Sequence, residues 1–237
     1  MDTISMLAGL ARRALTPEPP KPSGIFGGSM GNVPPEKVRE LKARVQENSQ
    51  ILDHMVLAPE DQKAQLKASI TSTVPASMLR AVAREGVQIV VVRKDTFADP
   101  QTVGAYSAKH KLIGVRPTEL LTGTPIHELA HAYDDALAPD VEVNGKKEQR
   151  NRSDQPDFQK IYRSYLKNTE GQLPVGQDWI PTSEMEQAKG SMWSGYARKN
   201  AHEYFAEGVE HFLHPFKKAE LARTDPQLSQ FLAQTLH

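Results

Sequence analysis

Cysteine is absent from the 237 residues. That excludes a disulfide framework and any cysteine-based zinc cluster, and it leaves histidine and carboxylate side chains to hold such a metal. Net charge is absent as well: 29 Lys plus Arg balance 29 Asp plus Glu, so the bulk charge argues for neither a nucleic acid nor a charged membrane surface as partner. No run approaches the 18 or more apolar residues of a membrane-spanning helix. A classical secretory signal is not expected, because Asp2 precedes the first apolar stretch while Arg12 and Arg13 follow it, the reverse of a signal peptide. Ile4, Leu7, Leu10, Ala11, Ala14 and Leu15 instead predict a short amphipathic helix. That helix suits docking or oligomer contact and equally a non-classical export signal, so secretion or translocation into a target cell stands beside a cytoplasmic location.

What is present begins with proline and glycine concentrated between Thr16 and Pro35, a composition that predicts a linker or a disordered tail. Helical periodicity follows, in segments starting at Pro35, at Pro59 and after Pro75, the last stopping at Gly86. The period then changes. Val87 to Arg93 is β-branched and nearly all apolar, which predicts a strand buried on both faces, and Gly104 to Arg116 reads as two short strands around a polar turn at Lys109 to Lys111. Asn144-Gly145 marks another turn, and Asp154 to Lys167 predicts a helix packing behind the site. The stretch from 168 to 200, rich in glycine and proline and holding Trp179 and Trp193, predicts a binding loop.

The chemistry concentrates in Thr124-Pro125-Ile126-His127-Glu128-Leu129-Ala130-His131, the opening of a helix with an H-E-x-x-H motif. Residues four apart on a helix share a face about 5–6 Å apart at Cβ, so His127 and His131 can bind one metal ion, with Glu128 placed to act on a water. Thr124 is the expected N-cap and Pro125 the first helical residue, where its missing N–H costs nothing. Catalytic zinc takes three protein ligands. The continuation H-x-x-G-x-x-H is ruled out because Asp134 and Leu137 occupy the glycine and third-histidine positions. A later helix offers two carboxylates four apart, Glu203 and Glu207, while His54, His110, His202, His211 and His214 are left outside the ligand set.

His127 to Asp135, taken with Glu203-Tyr204-Phe205-Ala206-Glu207 and with Tyr196 seven residues before Glu203, resembles the catalytic domain of anthrax toxin lethal factor and the related Pro-Pro endopeptidases. The resemblance spans roughly residues 85 to 214. It implies an α+β zincin-like fold, with a small mixed sheet, the H-E-x-x-H helix and a largely helical C-terminal half. It further implies one zinc held by His127, His131 and Glu203, with Tyr196 facing the developing oxyanion and Glu207 supporting a ligand. Residues 111 to 116 become the strand that pairs with an extended substrate. Asp135, one turn past His131, is a second candidate to hold an imidazole, with an exposed helix end as the other reading of Asp134 and Asp135.

The chain then divides into an N-terminal segment, 1–34, and a metalloprotease domain, 35–237, made of a helical subregion (35–85) and a catalytic core (86–237). The function expected is that of a zinc endopeptidase acting on proteins or peptides, in the manner of a bacterial toxin or effector. A peptide-binding module without turnover and a zinc hydrolase of non-peptide substrates are the alternatives.

Overall fold

The computed structural model describes residues 34–138, 140–143, 146–149, 151–169 and 195–236. The expected N-terminal helix and linker, the Asn144-Gly145 turn and the loop carrying Trp179 and Trp193 lie outside these residues. Helix α1 (Pro35–Met55) starts on proline with Glu36 in its first turn, where a negative charge suits the helix dipole. Its apolar stripe is only half used, since Leu52 and Met55 are buried but Leu41 is exposed. Buried Asn48 fastens it by donating to the Thr71 and Val74 carbonyls at 2.9 and 2.8 Å, at and just past the end of α2 (Glu60–Thr71). Helix α3 (Ala76–Arg84) follows Pro75 and stops at Gly86, whose φ of 72° is the left-handed conformation that glycine adopts without penalty.

The sheet is mixed, in the order β1 (Val56–Leu57), β2 (Gln88–Val91), β4 (Leu112–Val115), β3 (Gly104–Ser107). The first three strands are parallel and β3 is antiparallel to β4. The apolar run at 87–93 forms an inner strand over 88–91, but it is not buried on both faces as expected: Ile89 is buried, Val90 and Val91 are half-buried and Gln88 is exposed. Another expectation is overturned. Residues 111 to 116 cannot offer a free edge, because β4 is paired on both sides; among the described residues the outer strands are β1 and β3, and β3 is the one against α4.

The phase of the β3–β4 ladder fixes which backbone groups that edge presents. Arg116 N–H bonds the Val103 carbonyl and antiparallel bonding alternates, so Ala105 and Ser107 bond inward to β4. Gly104 and Tyr106 then direct their N–H and C=O groups outward.

Helix α4 (Thr124–Ala136) lies against β3, β4 and α3 on one side and α6 (Ala201–Leu213) on the other. Its N-cap is Gly123 and not Thr124, whose hydroxyl is engaged with Thr122 and Glu119. Between them run the β5 (Asp140–Val143) and β6 (Lys146–Gln149) hairpin and α5 (Pro156–Asn168). After α6 come α7 (Lys218–Thr224) and α8 (Pro226–Thr235), the latter capped by Asp225, which accepts from Leu228 N–H. Helix α5 does pack behind the site: Phe158 meets Phe205 and Tyr204, and Tyr165 stacks on Tyr204 at 4.5 Å. Among the described residues, no helix is long and apolar enough to cross a membrane.

Candidate metal centre and cleft

Helix α4 sends His127 and His131 to one point, and α6 brings Glu203 to the same point. His131 Nε2 lies 3.2 Å from His127 Nε2 and 3.0 Å from Glu203 Oε2, and His127 Nε2 lies 3.2 Å from that same oxygen. Two imidazole nitrogens and a carboxylate oxygen in so tight a triangle are an awkward hydrogen-bonding group, since two ring protons would have to share its centre. They are instead a good metal set: zinc bound at about 2.0–2.2 Å in tetrahedral geometry puts its ligand atoms roughly 3.3 Å apart. Among the described residues this is the one group of three or more potential ligands close enough to hold an ion.

The local charge also suits a cation. Burial alone would lower the His127 pKa, but Glu203, Glu128 and Glu210 outweigh it and raise the value. Burial likewise works to raise Glu203, yet hydrogen bonds from His127 and His131 hold it well below the usual carboxylate range. For Glu128 burial prevails, pushing its carboxyl above that range against the pull of the two imidazoles.

Glu128 projects from α4 toward the edge strand. The backbone N–H of Tyr106, one of the two N–H groups that β3 turns outward, acts on this carboxyl and works to hold its pKa down. Glu128 and His127 line a cleft of about 510 Å³ with Gly104, Glu119, Glu210 and Tyr196. Tyr196 sits on a 3-10 turn (Gly195–Arg198) just before α6, its ring 6.2 Å from that of His127 and 4.9 Å from the Lys199 ammonium.

Carboxylates surround the triad on both helices. Asp135 takes hydrogen bonds from Tyr106 Oη at 2.5 Å and Lys111 Nζ at 2.7 Å, which ties α4 to the β3–β4 hairpin. Glu207 is buried in α6, where its charge contributes to raising the Tyr165 pKa. A further carboxylate, that of Glu210, lies 3.9 Å from His127 Nδ1 and is pressed against Gly123. Sequence reasoning missed Glu210, although its position seven residues past Glu203 puts it on the same helical face.

Also missed was a buried clip. Asp134 accepts from Ser153 N–H at 2.7 Å and Ser153 Oγ at 2.6 Å, and it lies 3.1 Å from His202 Nδ1. Asp134 follows His131 by three residues and His202 precedes Glu203, so the clip joins the two helices that carry the triad. Neither aspartate is an exposed helix end.

No protein-family model matches the chain, and no curated protein matches it. Among solved structures, a Pro-Pro endopeptidase (PPEP-2) from Paenibacillus alvei superposes with a TM-score of 0.51 and 20% identity, over 78% of this chain and 98% of that one. At this identity the likeness is one of fold: a mixed α+β fold of the Pro-Pro endopeptidase kind, with a small sheet and mostly helices.

Proposed function

We propose that the protein is a zinc-dependent endopeptidase that hydrolyses peptide bonds in protein substrates. The observation that carries this reading is the convergence of His127, His131 and Glu203 within 3.0–3.2 Å, beside a buried Glu128 in an open cleft. The fold shared with a Pro-Pro endopeptidase supports it. Zinc, when bound by these three side chains, supplies the Lewis acidity that makes water a nucleophile near neutral pH.

The remaining work falls to the chain itself. Glu128 accepts the proton of the attacking water and returns it to the leaving amine; a pKa raised by burial suits both tasks, since proton transfer is most effective when the base titrates near the working pH. The outward N–H and C=O of Gly104 and the C=O of Tyr106 pair with an extended peptide, as exposed strand edges do, while the Tyr106 N–H serves Glu128. Tyr196, on the cleft wall beside His127, donates its hydroxyl to the oxygen that gains charge in the transition state.

The test is turnover of a denatured protein mixture. Cleavage should stop with chelator, return with about one equivalent of zinc, and fall about 10²–10⁴-fold in Glu128→Gln, which keeps the shape of the side chain but cannot take the proton. No turnover in zinc-loaded protein, or an undiminished Glu128→Gln variant, would sink the proposal.

A further inference from the structure

Strand β3 and helix α4 touch along a line that includes the residue assigned the proton transfer. Gly104 and Tyr106 alternate to the same face of the strand, toward α4. Thr124, Glu128 and Asp135 lie along one side of the helix, Glu128 and Asp135 two turns apart. At the Gly104 end, side chains of the helix fill the space that a strand side chain would need. A Cβ at Gly104 would stand 2.5 Å from Thr124 Cγ2, 3.0 Å from Glu128 Oε1 and 3.1 Å from Glu128 Cγ. At the other end, Tyr106 Oη and Lys111 Nζ both bond Asp135 Oδ2. Lys111 reaches it from the turn between the strands, where its φ of 48° is a strained choice for a residue with a side chain.

We propose that β3 is the backstop of Glu128. Gly104 and the outward N–H of Tyr106 set the position of the Glu128 carboxylate, and the Tyr106–Asp135–Lys111 clasp sets the height of the strand on the helix. Gly104, Tyr106 and Asp135 are thereby positioning residues. The inference deepens the reading in which Glu128 moves the proton and rests on it for its kinetic consequence, but not for its geometry.

Physical scale supports the assignment. The Thr124 methyl that a Gly104 side chain would strike sits on a short β-branched stem and not at the end of a long flexible chain. The strand or the helix must therefore shift, and a displacement near 1 Å at a reacting group can cost about 10²-fold in rate. The clasp works on the same contact from further along. Without the Tyr106 hydroxyl, β3 keeps its bonds to β4 but loses the bond that fixes it against α4.

Amide exchange gives a readout that needs no turnover. An outward N–H on an open edge exchanges quickly unless something accepts it. Measured by NMR, the Tyr106 amide should exchange at least about tenfold more slowly in the wild type than in Glu128→Ala, while that of Ala105, bonded inward to β4, should match in both. Equal Tyr106 rates would overturn the proposal whether or not the protein cleaves peptides.

Kinetics on fluorescein-labelled casein then test the consequence. Gly104→Ala should keep its zinc and its cooperative melting, lose about 10–100-fold in kcat, and hold KM within about threefold. A raised KM with normal kcat would make the strand only a substrate wall and overturn the assignment. Should Gly104→Ala fail to fold, Tyr106→Phe carries the test, with kcat expected to fall about 3–10-fold at constant zinc content. Asp135→Ala should match Tyr106→Phe, and Asp135→Asn, which keeps an acceptor, should recover most of the rate. An Asp135→Asn variant as slow as Asp135→Ala would refute the clasp. If wild-type protein with zinc does not cleave casein, the peptidase reading fails and the exchange experiment alone decides this one.

Discussion

Replacing Asp134 should damage both stability and metal affinity, in amounts that follow from its partners. The carboxylate is buried and accepts the Ser153 N–H and hydroxyl at 2.7 and 2.6 Å, with His202 Nδ1 at 3.1 Å. Hydrogen bonds to a charged group are worth about 1.5–3 kcal/mol each, so losing the two from Ser153 costs roughly 3–6 kcal/mol in Asp134→Ala. Set against a typical total of about 5–15 kcal/mol, that variant is near the edge of folding. Ser153→Ala is the measurable step. It removes one hydroxyl, keeps the backbone N–H bond and should cost about 1–3 kcal/mol in urea unfolding of metal-free protein. Because the clip joins the helix of His131 to that of Glu203, zinc affinity measured by chelator competition should weaken about 10–100-fold, the usual effect of disturbing groups that orient metal ligands. A Ser153→Ala variant within about 0.5 kcal/mol of wild type and equal to it in zinc affinity would show that the clip neither supports the fold nor sets the triad.

Three further outcomes are expected. His127→Ala, His131→Ala and Glu203→Ala should each lose most of the bound zinc by metal analysis after gel filtration, and a full equivalent retained by His127→Ala/His131→Ala would refute the triad. Tyr196→Phe should lower kcat and kcat/KM together by about 10²–10³-fold with zinc content and Tm unchanged, whereas full activity in a stable variant would remove Tyr196 from the mechanism. Burial, assisted by Lys217, His214 and His127, pushes the His211 pKa from 6.5 down to about 3, so the folded protein resists a proton that the unfolded chain accepts. Stability is then lost as pH falls from about 6.5 toward 3, by about 2 kcal/mol at pH 5, and urea titrations at pH 7.5 and 5 should show a smaller difference in His211→Gln than in wild type.

The helices were legible in the sequence because each carries local marks: Pro35, Pro59 and Pro75 at starts, Gly86 at a stop, and apolar periodicity between them. The triad was legible for a related reason, since His127 and His131 sit one helical turn apart and Glu203 was indicated by family resemblance. What could not be read depends on contacts distant in sequence. The two-residue β1 is shorter than any periodicity. The choice of β3 over β4 as the open edge is made by β2, which occupies the other side of β4. Thr124 looked like a cap, but Glu119 and Thr122 claim its hydroxyl and the helix begins a residue earlier. Asp135 answers to a tyrosine 29 residues away, and Asp134 to a serine and a histidine on two other elements. Nothing in the spacing of an H-E-x-x-H helix foretells such partners.

The 72 residues that separate His131 from Glu203 set an order of events as well as a geometry. During synthesis the two histidines leave the ribosome first, on a helix that alone offers a metal only half a site. The third ligand is made later and comes into place only when α6 docks along α4. On the zinc-peptidase reading proposed above, metal capture is thereby coupled to the completion of folding, and a chain still growing through β5, β6 and α5 lacks the third ligand.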